Sequence, residues 1–62
     1  MKKFENIKID FDDEFKVCRW FFTYGEKKYA RGFGVKEITS DKQIQVIEDM
    51  LTCMKRAISQ KK

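Results

Sequence analysis

The residues best equipped for chemistry lie between Lys16 and Lys36. Lys16, Arg19, Lys27, Lys28, Arg31 and Lys36 are set there against one acid, Glu26, and they interleave with Trp20, Phe21, Phe22, Tyr24, Tyr29 and Phe33. Cations pair with phosphates and aromatic rings stack on bases, so this mixture suits a single-stranded nucleic acid. It equally describes an ordinary basic hairpin with an aromatic core. Catalytic chemistry finds few candidates. The chain has no histidine, which removes Ser-His and Cys-His nucleophile pairs. Asp10, Asp12, Asp13 and Glu14 cluster in sequence, without the glycine or the length of a calcium loop, and read as an acidic turn. Cys18 and Cys53 form no CxxC pair, and two thiols do not complete a four-ligand zinc site. They are expected to be free, reduced and buried, as in a cytoplasmic protein. The expectation is a protein that is not an enzyme and uses neither cofactor nor metal.

The net charge of +4 is unevenly spread over the 62 residues. Residues 1–15 hold three bases and five acids, and residues 37–54 hold Lys42 against Glu37, Asp41, Glu48 and Asp49. The basic block lies between these acidic flanks, and Lys55, Arg56, Lys61 and Lys62 close the chain. A basic hairpin between acidic flanks points to a polyanionic partner. Lys2 and Lys3 precede no apolar h-region, so no signal peptide is expected. The apolar runs are too short for a membrane span.

These residues need elements to position them. Ile7, Ile9 and Phe11 alternate with Lys8 and Asp10, the period of a half-buried strand, and predict a first strand over about 4–11. A second, aromatic strand is expected over about 15–24, and a third over about 28–35, joined by a tight turn at Gly25-Glu26. A helix is expected over about 41–59, capped by Ser40 with Gln43 as its capping-box partner. The fold class is therefore α+β: a three- or four-stranded antiparallel sheet with one C-terminal amphipathic helix packed on one face, in a single domain.

The turn at Gly25 sets the pairing. One sheet face should carry Cys18, Trp20, Phe22, Tyr24, Tyr29, Arg31, Phe33 and Val35 and pack under the helix, with Arg31 near its rim. The other should carry Phe15, Val17, Arg19, Phe21, Thr23, Lys28, Ala30, Gly32 and Gly34 and form a shallow groove. A one-residue slip would exchange the faces. On the helix, Ile44, Ile47, Leu51, Met54 and Ile58 are expected to face the sheet. Val46, Met50, Cys53 and Ala57 form a second seam, expected to meet another subunit or to extend the core. A domain this small gains from covering that seam, so a homodimer is expected, and Met50→Lys is expected to dissociate it rather than unfold the chain.

Three stretches carry a family resemblance. Val17-Cys18-Arg19-Trp20-Phe21-Phe22 resembles the arginine-aromatic strand of the single-stranded-DNA-binding coactivators of the positive-cofactor-four type and of the related Pur-alpha and Whirly modules. Gly25-Glu26-Lys27-Lys28 followed by Arg31-Gly32 resembles their basic hairpin and return strand. Ile44 to Ile58 resembles their long amphipathic dimer helix. The resemblance implies a homodimer that binds single-stranded DNA, with Arg19, Lys27, Lys28 and Arg31 on phosphate and Phe21 or Phe22 stacked on bases; the basic stretch itself adds Lys16 to the expected contacts, and RNA is an alternative ligand. The chain departs from that pattern at Asp12-Asp13-Glu14, where those coactivators tend to carry lysine. Arg31-Gly32-Phe33-Gly34-Val35 also resembles part of the RNP1 signature of RNA-recognition strands, with Val35 where that family has an aromatic. The rival expectation is a protein-interaction module, such as a small phage or mobile-element protein binding a host protein. On that reading Phe15, Val17 and Phe21 meet protein, and Lys27 and Lys28 only steer the encounter.

Overall fold

The computed structural model describes residues 2–60; Lys61 and Lys62 of the basic tail lie outside them. Strands β1 (Phe4–Asp12), β2 (Val17–Tyr24) and β3 (Lys27–Gly34) are followed by helix α1 (Ser40–Ser59). The strands form one antiparallel meander in the order β1-β2-β3, and α1 lies along the central strand. The α+β expectation holds, with three strands. Among the described residues no helix is long and apolar enough to cross a membrane.

The turns follow local chemistry. The Asp12 carboxylate accepts from the amides of Glu14 (3.0 Å) and Phe15 (3.2 Å), a side-chain mimic of a backbone turn. Lys16 then takes a left-handed conformation (φ 56°), and its carbonyl accepts from the Val35 amide at 2.9 Å. The turn therefore extends through Lys16, and β2 starts at Val17 rather than near Phe15, which is left exposed. Gly25 (φ 65°) makes the tight turn between β2 and β3, as its lack of a side chain permits.

β1 contains a feature that its alternating pattern does not announce. Its register with β2 shifts between Glu5 and Lys8, and Asn6 sits at φ 57°, a region Asn tolerates better than most residues. Asn6 donates to the Thr23 hydroxyl (3.3 Å), which donates to the Glu5 carbonyl (3.0 Å). The extra residue reverses the parity of the strand. Phe4 thus shares a face with Ile9 and Phe11, where unbroken alternation would oppose them. Its ring meets Phe22 edge-on at 5.5 Å and Tyr24 at 4.5 Å.

The core is the helix-facing side of β2. Cys18, Trp20 and Phe22 are buried there with Val46 and Met50 of the helix, flanked by Tyr24, Tyr29, Phe33, Val35 and Ile38. Trp20 stacks near Phe22 (5.4 Å between centroids) and Phe22 on Tyr29 (4.9 Å). The pairs Trp20–Arg31, Phe22–Tyr29 and Cys18–Phe33 are cross-strand neighbours, so the expected division of the sheet into faces is the observed one.

Two expectations about the helix are corrected. Its N-cap is Thr39, not Ser40: the Thr39 hydroxyl accepts from the Lys42 amide at 3.2 Å. Both residue types cap well, so the sequence did not choose between neighbours, and the shift removes Gln43 from the capping-box position. The helix is also rotated from the expected face: of the five residues expected on the sheet only Met54 packs against the core, and the second seam extends the core. Val46, Met50 and Ala57 are buried and Cys53 is half-buried against the core, whereas Ile44, Ile47, Leu51 and Ile58 are exposed. Within the single chain the seam Val46, Met50, Cys53 and Ala57 is therefore covered by its own sheet. Its shorter side chains let the helix approach a sheet already filled with aromatic rings. A lysine at Met50 would bury an unpaired charge, so Met50→Lys is expected to unfold the chain. A circular-dichroism melt checks this, and a folded Met50→Lys monomer would contradict the packing.

Candidate nucleic-acid interface

The side of the sheet away from the helix presents four cross-strand rows: Glu5-Thr23-Lys28, Lys8-Phe21-Ala30, Asp10-Arg19-Gly32 and Asp12-Val17-Gly34. Among the described residues Phe21 is the one aromatic ring in these rows, half-buried between small Ala30 and the stem of Lys8. Shallow depressions flank the ring, one bordered by Arg19, Ala30 and Gly32, the other by Lys8, Asp10 and Arg19. Gly32 lies across from Arg19, whose Cγ would meet an added Cβ at 3.6 Å. The face is thus nearly flat around Phe21, as a stacking platform requires.

Its charges are graded. The row nearest the Asp12 turn is acidic, and bases gather toward the opposite end, where Lys2 lies against the Gly25 turn and Lys27 and Lys28 follow it. The Lys2 ammonium lies 5.9 Å from the centre of the Tyr24 ring, a cation–π distance. Among the described residues Lys8, Lys27 and Lys28 have no carboxylate within ion-pair distance, whereas Lys3 approaches Glu5 at 3.9 Å.

Arg19 is different. Its guanidinium is bound by Asp10 and lies 3.7 Å from Asp12. The hydrogen bond it donates to Asp10, then the charges of Asp10 and Asp12, raise its pKa above the ordinary arginine value. Arg19 therefore keeps its charge on the open face but is already paired with carboxylates. Lys16 is paired with Asp13 at 3.1 Å in the acidic turn.

Arg31 and Phe22 lie on the other side of the sheet. Phe22 is fully buried in the core, out of reach of any base. Arg31 donates to Asp49 of the helix at 3.1 Å, and the other carboxylate oxygen of Asp49 accepts from the Trp20 indole at 2.8 Å. Of the seven expected contact residues, the fold brings together Arg19, Phe21 and Lys28 on one face, and sets Lys27 at the hairpin opposite Tyr24, in a row of the helix side. It separates Lys16, Phe22 and Arg31 from that surface. Lys8 was missed by sequence reasoning, although its place between Ile7 and Ile9 already put it on the face opposite theirs.

Among the described residues no group of three Cys, Asp or Glu side chains is placed to hold a metal ion, and both cysteines are free thiols. Comparison of the chain with family models, with curated proteins and with solved structures finds no match.

The Asp49 bridge has a measurable value. Asp49→Ala removes the acceptor of a buried indole N–H and is expected to cost about 1–3 kcal/mol, with a change in Trp20 fluorescence. Arg31→Ala, which removes a half-exposed partner of the same carboxylate, is expected to cost less than about 1 kcal/mol. Chemical denaturation of the two variants checks this order, and a larger cost for Arg31→Ala would contradict it.

Proposed function

We propose that this is a non-catalytic domain that binds single-stranded nucleic acid on the open face of its sheet, with little base specificity. The observation that carries the reading is the setting of Phe21. It is the one ring in the cross-strand rows of that face, with Lys8 beside it and Lys28 toward the basic end. A base stacked on Phe21 would leave its flanking phosphates near Lys8 and Lys28, while Arg19 contributes less because Asp10 already satisfies it. The basic stretch of the sequence and its likeness to single-strand-binding coactivators support the same class. The contact set is nevertheless narrower than the sequence alone suggests, and Arg31 is not part of it.

Fluorescence anisotropy with a labelled single-stranded oligonucleotide at several salt concentrations tests this. Lys8→Ala and Lys28→Ala are each expected to weaken binding and to flatten the salt slope by about one unit. Phe21→Ala is expected to cost roughly 1–3 kcal/mol with the slope unchanged, since a ring releases no counterions. Arg31→Ala should leave binding as it is. Asp10→Asn should tighten it by releasing Arg19. Oligonucleotide binding no tighter than heparin binding, or indifferent to Phe21, would sink the proposal.

A protein-contact reading is favoured by a separate observation, the row of exposed apolar side chains on α1. Association through that surface would persist at high salt, because apolar contact does not depend on counterion release.

A further inference from the structure

The outer flank of α1 leaves large apolar side chains in water. Ile44, Ile47, Leu51 and Ile58 are 52%, 39%, 48% and 58% exposed, and Met54 is half-buried between them and the core. The five residues follow the spacing three, four, three, four, which is the a/d repeat of a coiled-coil seam. The turn of the helix puts this stripe roughly 100° round from the buried seam of Val46, Met50 and Ala57. Asp49, on the opposite flank, is held toward β3 by Arg31. The stripe therefore overhangs β1, where Ile7 is also half exposed. The chain exposes 5000 Å² in all, against roughly 4200 Å² for a compact monomer of its mass.

We propose that this stripe is the interface of a homodimer in which two copies of the chain pair their α1 helices antiparallel. The inference is independent of the nucleic-acid reading. The occupant is a second copy because the charges bordering the stripe complement themselves. With Ile44 at position a, Glu48 and Lys55 take the two e positions, the border that sets orientation in coiled coils. In an antiparallel pair with Leu51 opposite the partner's Met54 and Ile47 opposite the partner's Ile58, Glu48 comes level with the partner's Lys55. The two-fold axis repeats the pair. A parallel pair would set these e residues against g positions, which hold Gln43, Met50 and Ala57; Met50 and Ala57 are buried on their own sheet and offer no charge. Short isolated coiled coils are marginal because each helix must first be ordered. Here each helix is already folded on its sheet, so a short seam suffices.

Sedimentation equilibrium of the full chain across micromolar to submillimolar concentrations tests the proposal, with circular dichroism at the dilute end to confirm folding. A reversible dimer is expected. Leu51→Lys, at an exposed position, should raise its dissociation constant at least about tenfold with the fold retained. Glu48→Lys and Lys55→Glu should each weaken the dimer, and the double exchange should restore it. A monomer at every concentration would overturn the proposal. So would a dimer indifferent to the single exchanges, or one not restored by the double exchange.

Discussion

The placement of the helix depends on one carboxylate. Packing an aromatic strand under a helix buries the indole of Trp20, and an indole N–H out of water needs an acceptor. Asp49 supplies it and is itself held by Arg31 on the neighbouring strand. That bridge ties helix, central strand and edge strand together and fixes the rotation of α1 about its own axis. Turning the helix to bury the more hydrophobic stripe of Ile44, Ile47 and Leu51 would carry Asp49 away from the sheet and leave Trp20 unsatisfied. The helix therefore buries its smaller side chains and leaves its isoleucines outside.

The same economy shapes the sheet. β2 alternates so strictly that Cys18, Trp20 and Phe22 all enter the core while Arg19 and Phe21 stay on the open face. Nearly all the aromatic residues that make the sequence resemble a stacking platform are spent on the core. The ladder Trp20–Phe22–Tyr29, with Phe4 against Phe22, is a structural device, stacked and edge-packed as aromatic groups prefer. What remains on the open face is a single ring among small residues and lysines. Any binding of bases must therefore be tolerant of sequence, because one stacking site and a few cations read no base edges.

The two candidate surfaces do not compete. The open face of the sheet is polar, graded in charge and centred on Phe21; the apolar stripe lies on the opposite layer, along the outer flank of the helix. A pair of domains joined through their helices would leave both open sheet faces free. The acidic residues around the Asp12 turn and the lysines around Gly25 make each domain polar along its long axis, so an antiparallel pair would not stack like charges at one end. Docking two such domains would thus cost little electrostatically.

Much of this was legible in the sequence. The period of two in the strands and the turn at Gly25 imply an antiparallel sheet of three or four strands, of which the fold forms three, and the tight turn determines which residues of β2 and β3 share a face. The free cysteines and the amphipathic helix are equally local consequences of residue type and spacing. The bulge at Asn6 was not legible, because a single left-handed residue within an alternating strand leaves no periodic trace; it alone brings Phe4 into the core. The side of the sheet that carries Arg31 followed from the pairing at Gly25, but its bond to Asp49, the pairing of Arg19 with Asp10 and the choice between two apolar helix seams were decided only by tertiary structure. Each depends on which groups meet across elements distant in the chain. The helix offered two apolar seams, and the less hydrophobic one is buried because its side chains fit against the aromatic sheet and because that rotation brings Asp49 to the Trp20 indole, a pairing that no local pattern encodes.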